Sequence, residues 1–470
     1  MMTVSVNQTT NSSDHWAKLF SAQRLGSHKK APAEDSARSS FHKDYDRLVF
    51  SHSFRQLNQK TQVHPLTNQL GIHTRLTHSL EVSCIGRSLG VMAAEKLHHT
   101  LEGGLPDGVT PADVGVIVQA ACLAHDIGNP PFGHAGEYAI RDWFMHSERQ
   151  TILQNMSSNE RLDLLAYEGN AQGFRILTRN EHHPDAGGMR LTCATLGAFM
   201  KYPWLATHSN EAYQDKAMSN VQKFGCFYSE AGQLEQLAAC LSLPRSKHHD
   251  GFARHPLAYL LEAADDICYA LIDLEDGINL NMLTYAEVAA IFYELIGERP
   301  STISLPAHMS VRQHLASLRS RAMMRLVNSV TDAFVANSDA MLAGTLQGSL
   351  FAHCDVAVQS GITQAKDLAR EKIFNHPSKV RMELMANQCL HRLLDAFMPL
   401  AWTNEISTPM SFEQQRLLML LKPHFDEHQR FLSDDIYQNM LNVLDFITGM
   451  NDHEAYRLAQ ELQGHWGTVV

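Results

Sequence analysis

A mainly α fold is what the sequence predicts, and three observations predict it. From Phe41 onward apolar residues recur at the three-to-four-residue spacing of amphipathic helices, alternating apolar and polar runs are scarce, and Gly/Pro clusters punctuate the chain without filling it. With 470 residues, 44% hydrophobic and 19% charged, the chain can bury a sizeable core and exceeds the length at which a single core usually stops growing. One large domain with an extension, or two packed lobes, is therefore expected.

In chain order, residues 1–40 are polar, with few apolar side chains to bury, and read as a flexible N-terminal arm. LTHSLEVSCIGRSLGVMAAEKL (76–97) places Leu76, Leu80, Ile85, Leu89 and Met92 on one stripe, and PADVGVIVQAACLAHDIG (111–128) does the same with Val114, Ile117, Val118, Ala121 and Leu123. Both are core helices by this pattern. Further helices are expected over 134–145, 189–200, 256–276, 285–297, 310–343, 364–372, 379–398, 412–422, 433–448 and 452–463. FGCFYSE (224–230) is the clearest alternating run, a small β-hairpin at most. GERPSTISLPAHMS (297–310), rich in Pro and Ser, marks the expected seam. The expected division is an arm over 1–40, a core over 41–296 and a helical C-terminal lobe over 297–470.

Composition excludes several classes. A formal charge of −11 argues against bulk electrostatic affinity for nucleic acid, so any phosphate chemistry must be arranged locally. Eight scattered cysteines without a CxxC read as reduced thiols, and the cytoplasm is the expected compartment. No signal-peptide pattern opens the chain and no apolar run reaches a membrane span of about 18 residues, so an unexported, non-membrane protein is expected.

The chemistry concentrates in HDIGNPPFGHAGE (125–137). His125 and Asp126 follow a long apolar run, where an ionised Asp is costly unless it is paired, hydrogen-bonded or bound to a cation. His78 lies on an earlier amphipathic helix, and LLEAADDICYALIDLED (260–276) supplies carboxylates. Two histidines with two carboxylates form the mixed N/O set of a catalytic Mn, Fe, Co, Ni or Mg site, whereas a structural zinc site more typically uses cysteines. The glycines and prolines after the HD pair stop one helix and start another, on which His134 and Glu137 share a face at i, i+3.

These stretches, with DYDRLVFSHSFRQLNQKTQV (44–63), HTRLTHSLEV (73–82), EGNAQGFRIL (168–177), LTCATLGAFMKYPW (191–204), KFGCFYSE (223–230) and FITGMNDHEAYRL (446–458), make the chain resemble the deoxyguanosine triphosphate triphosphohydrolases of the HD phosphohydrolase superfamily. The resemblance implies an HD-domain helical core and one divalent ion, Mn2+ or Mg2+ with Fe, Co or Ni as alternatives. Its ligands would be His78, His125, Asp126 and one of Asp265 and Asp266. Helix geometry favours Asp265, which shares a face with Tyr269 and Asp273, while Asp266 is turned about 100° away. His134 would activate the attacking water or protonate the leaving 5′ oxygen, with Glu137 orienting it. Lys201 and Lys223 would meet the phosphates with Tyr202 and Asn170 as hydrogen-bonding partners, and Arg75 would stack on a base or reach a phosphate. Gln62 and Asp273 would hold a 3′-hydroxyl, Tyr269 would pack under the sugar and Val63 would fill the 2′ side.

The implied reaction converts dGTP, or several dNTPs, to deoxynucleoside and inorganic triphosphate. A homo-oligomer, hexamer favoured, is implied too, with a nucleotide effector or single-stranded DNA as further ligands. An HD phosphodiesterase or phosphatase, or a nucleotide- or DNA-binding oligomer, are the competing readings. The sequence does not identify the base-reading residues; the resemblance implies that they come partly from the C-terminal lobe, where Arg381, Glu383, Phe431 and Tyr456 are open candidates, or from a neighbouring subunit. The pairs His182-His183 and His248-His249 read as surface loops, so a mononuclear site is expected.

Overall fold

The structure is a computed structural model that describes residues 12–26, 38–62, 73–181, 187–206, 223–402, 410–422 and 433–465. Among them there is no β-strand, only isolated bridges. The stretch 224–230 is not a hairpin: Cys226 makes a single bridge to Leu205 and the chain then turns into a 3-10 helix over Tyr228–Glu230.

The N-terminal residues 12–26 are not an arm. They form α1 (Ser12–Leu19) and a tail that dock on the core. Trp16 is fully buried, stacks on Phe20 with ring centroids 5.5 Å apart and leans on Phe334. Beyond it, Arg24 pairs with the buried Asp44 of α2 (Ser40–Phe50) at 2.6 Å. Four apolar residues, Trp16, Leu19, Phe20 and Leu25, suffice to bury a short polar-looking segment.

The centre of the fold is the pair α3 (Arg75–Thr100) and α4 (Pro111–Ala124). Thr74 and Thr110 close capping boxes at their starts, and Pro111 sits where its missing N–H costs nothing. The two backbones approach closely: a Cβ on Gly90 would lie 2.9 Å from the Gly115 Cα. Every residue of α4 from Asp113 to Ala124 is buried, which explains its unbroken apolar run. That burial also places His125 and Asp126, just past its end, deep in the molecule.

Around this pair stand α5 (His134–Met145), α6 (Gly169–Arg175), α7 (Cys193–Phe199), α8 (Pro256–Asn279) and α9 (Tyr285–Ile296). The later helices α10 (Val311–Ala336), α11 (Val356–Leu368), α12 (Pro377–Phe397), α13 (Ile436–Gly449) and α14 (Asp452–Glu461) do not form a lobe of their own. Buried residues of α10 and α11 belong to the same apolar cluster as α1 to α4 and α7 to α9. Those of α12, α13 and α14 join α5 in a second cluster. The expected seam at 297–310 is a surface connection across which α9 and α10 pack, so the division at 296/297 does not match the packing. No helix among the described residues is long and apolar enough to cross a membrane.

Candidate active site

Three helices deliver the cluster. At the end of α4 the His125 Nδ1 lies 2.7 Å from the Cys122 carbonyl, a bond that fixes the ring and leaves Nε2 facing inward. From α3, His78 Nε2 lies 3.1 Å from Asp265 Oδ1 of α8, and His125 Nε2 lies 3.5 Å from the same oxygen. Donor atoms of His78, His125 and Asp265 all fall within 4.8 Å of one another. The other Asp265 oxygen accepts from Lys201 Nζ at 2.7 Å. Asp266 faces away and pairs with Lys366 at 2.8 Å.

Asp126 is held from one side only. Its Oδ1 accepts from Arg75 at 2.6 Å and from the Asn129 amide at 2.7 Å, while Oδ2, 3.7 Å from His125 Nε2, is buried without a hydrogen-bond partner. Burial alone would raise the Asp126 pKa, but Arg75 with His125 and His78 holds it below the ordinary carboxylate value. The group of donors within 4.8 Å consists of His78, His125 and Asp265 and does not include Asp126, whose buried unpartnered oxygen stands 3.7 Å from His125 Nε2; N/O donors of this kind suit a divalent cation of the Mg/Mn type.

Next to this cluster, α5 carries His134 and Glu137. Their side chains meet at 2.8 Å, with the His134 ring 66% exposed and Glu137 buried. Glu137 Oε1 also accepts the Gly169 N–H of α6 at 2.8 Å. Burial opposes ionisation of Glu137, yet His134, Arg141 and Lys223 hold its pKa below the usual range. The turn that brings α5 here packs backbone on backbone: Gly128 has φ 103° and an added Cβ would lie 2.2 Å from the Gly173 nitrogen.

A cavity of about 330 Å³ joins these groups. Every residue that the resemblance assigns to metal, catalysis, phosphates or sugar lines it except Val63, which lies outside the described residues. Lys201, Tyr202, Lys223 and Asn170 line it, the Asn170 amide donating to Glu168 at 2.7 Å. Gln62, Tyr269 and Asp273 line it as well. Gln62 Oε1 and Asp273 Oδ1 are buried without hydrogen-bond partners, and burial pushes the Asp273 carboxyl up to about 7.

Sequence reasoning missed Asn129 and Phe374, which also line the cavity. Asn129 sits inside HDIGNPPFGHAGE as an apparent turn residue, and Phe374 stacks on Tyr269 at 5.7 Å with the rings 9° from parallel. Arg381, Glu383 and Tyr456 do not line the cavity, and Phe431 and His182-His183 lie outside the described residues. His249 stacks on Trp204 at 4.0 Å, and neither it nor His248 joins a metal-type cluster among the described residues.

The HD domain family matches residues 75–171, the span that carries His78, His125, Asp126, His134, Glu137 and Asn170. The chain is 46% identical over 452 residues to a deoxyguanosinetriphosphate triphosphohydrolase-like protein of Pseudomonas aeruginosa, covering 96% of this chain and 98% of that one. The chain belongs to the deoxyguanosinetriphosphate triphosphohydrolase-like family. A family member of the same description in Synechocystis is 38% identical over 459 residues, covering 96% and 99%. The deoxyguanosinetriphosphate triphosphohydrolase of Cronobacter sakazakii is 31% identical over 402 residues, 77% of each chain. As a member of this triphosphohydrolase-like family the protein is a hydrolase of the HD class, and its His78/His125/Asp265 cluster could hold a metal ion.

Proposed function

We propose that the protein is a dNTP triphosphohydrolase, with dGTP as first candidate, that releases deoxynucleoside and inorganic triphosphate using one Mn2+ or Mg2+ held by His78, His125, Asp126 and Asp265. One observation carries the reading: a single cavity is lined by the His/Asp cluster, two lysines and the unpartnered acceptors of Gln62 and Asp273. The lysines suit a polyanion, and the unpartnered acceptors suit a sugar hydroxyl.

A divalent ion held by His78, His125, Asp126 and Asp265 would supply Lewis-acid stabilisation of the phosphoryl charge and make water a better nucleophile. Lys201, Lys223 and Arg75 neutralise the phosphate oxygens and hold them in place. The water oxygen bonds to the α-phosphorus as its proton passes to solvent, the bond to the 5′ oxygen breaks, and His134 gives the departing oxygen the proton it carries. Ionised Glu137 accepts the Nδ1–H of His134, which aims Nε2 at the cavity. The 3′-hydroxyl donates to Asp273 or Gln62, and Tyr269 packs under the sugar. A cytoplasmic homo-oligomer, a hexamer by resemblance, belongs to the same reading, as does regulation by a nucleotide.

The test incubates the protein with each dNTP and with GTP, plus Mn2+ or Mg2+, and identifies products chromatographically. Inorganic triphosphate with deoxyguanosine is expected. Release of monophosphate or orthophosphate, or no turnover, sinks the reading.

A further inference from the structure

FITGMNDHEAYRL (446–458) has no part in the proposed chemistry, yet one of its side chains bonds to two segments that carry site residues. Asp452, the first residue of α14, is fully buried. Its Oδ1 accepts the Phe132 N–H at 2.7 Å. Its Oδ2 accepts the Thr61 N–H at 3.0 Å and also the Thr61 hydroxyl. Both peptides adjoin site residues: Thr61 precedes Gln62, and Phe132 stands two residues before His134.

Phe132 is also buried and has φ 65°, a left-handed conformation that an aromatic residue adopts only under constraint. Without Asp452 its N–H would be an unpaired buried donor in a strained turn, and both penalties would fall on the segment that aims His134. Lys60 reinforces the junction by donating to the Asn129 carbonyl at 2.8 Å and the Thr448 carbonyl at 2.6 Å. Asn129 is the residue whose amide holds Asp126.

We propose that Asp452 is a positioning residue that sets the two halves of the active site in register, its Oδ1 holding the turn that presents His134 and its Oδ2 the peptide that presents Gln62. The kinetic arm of its test rests on the hydrolase reading; the structural arm does not.

Asp452→Asn leaves one acceptor oxygen and turns an NH2 group toward an N–H donor, whereas Thr61→Val removes only the hydroxyl bond to Oδ2. Full-length wild type and both variants are compared by kcat and KM for dGTP and by hydrogen–deuterium exchange of segments 59–62 and 129–137. Asp452→Asn is expected to speed exchange in both segments, lower kcat about tenfold and raise KM about fivefold, the scale of a small misplacement of reacting groups. Thr61→Val is expected to speed exchange in 59–62 only and to raise KM about threefold with kcat kept within about twofold. A purely structural role would lower the active fraction without splitting KM from kcat. Wild-type kinetics in folded Asp452→Asn, or a Thr61→Val variant that loses kcat and keeps KM, overturns the proposal. If wild type fails to turn over dGTP while exchange shows the expected pattern, the clamp stands and the substrate reading falls. If Asp452→Asn does not fold, the Thr61→Val split decides.

Discussion

Asp126 illustrates how much a single side chain reveals when its two oxygens have different surroundings. One is saturated by Arg75 and Asn129; the other is buried and unpartnered beside His125. Asp126→Ala should abolish Mn2+ binding by calorimetry together with turnover. Asn129→Ala, which removes only the orienting bond, should weaken metal affinity by about 10- to 100-fold. Unchanged affinity in Asn129→Ala would show that Arg75 alone fixes the carboxylate. Glu137→Gln tests the neighbouring pair: it leaves the His134 ring without its charged acceptor and should cut kcat about 100-fold while KM moves little. A matched loss in KM would instead assign Glu137 to binding. The sequence pointed to His78, His125, Asp126 and Asp265 through the family resemblance, with helix geometry preferring Asp265 to Asp266, and the structure brings donor atoms of His78, His125 and Asp265 within 4.8 Å of one another. Asn129 and Asp452 were not legible in the sequence, because they act through hydrogen bonds to backbone and side chains that no local pattern encodes.

Among the elements, α8 supplies Asp265, Tyr269 and Asp273 from successive turns, and what sets its start is His255. This fully buried ring caps the helix by accepting the Leu257 N–H at Nδ1 (3.1 Å), and its Nε2 lies 3.0 Å from the Leu19 carbonyl at the end of α1. The neutral tautomer satisfies both bonds, so burial pulls the pKa down from 6.5 to about 4. Between those values the unfolded chain binds a proton here that the folded chain excludes, so this contribution to stability is present above about pH 6.5 and is lost as pH falls toward 4. Thermal melts from pH 7.5 to 4.5 should therefore show the difference between wild type and His255→Asn shrinking on acidification. A constant difference would mean that the ring is not held neutral. Periodicity located α3, α4 and α8 because each is long and has a buried stripe or a fully buried body. It missed α1 because eight residues with one tryptophan carry too short a period to stand out.

At the scale of the whole molecule, the two apolar clusters cut across the chain order. Pro and Ser between 297 and 310 marked a surface connection correctly but not a boundary, because composition records solvent contact and not which helices share a core. A fragment ending at residue 296 loses Leu326 and Val330 of α10 and Val358 and Ala365 of α11 from the first cluster, all fully buried. Such a fragment should aggregate or melt without a cooperative transition in calorimetry; a soluble, cooperatively folding, Mn2+-binding fragment would refute the shared core. The contacts of Phe132 and Thr61 with Asp452 have a temporal side as well. They join residues 320 and 391 positions apart, so at least 452 residues must leave the ribosome before the turn that carries His134 finds its acceptor. A nascent chain can therefore carry all four proposed metal ligands before α14 supplies the acceptor for the turn that carries His134.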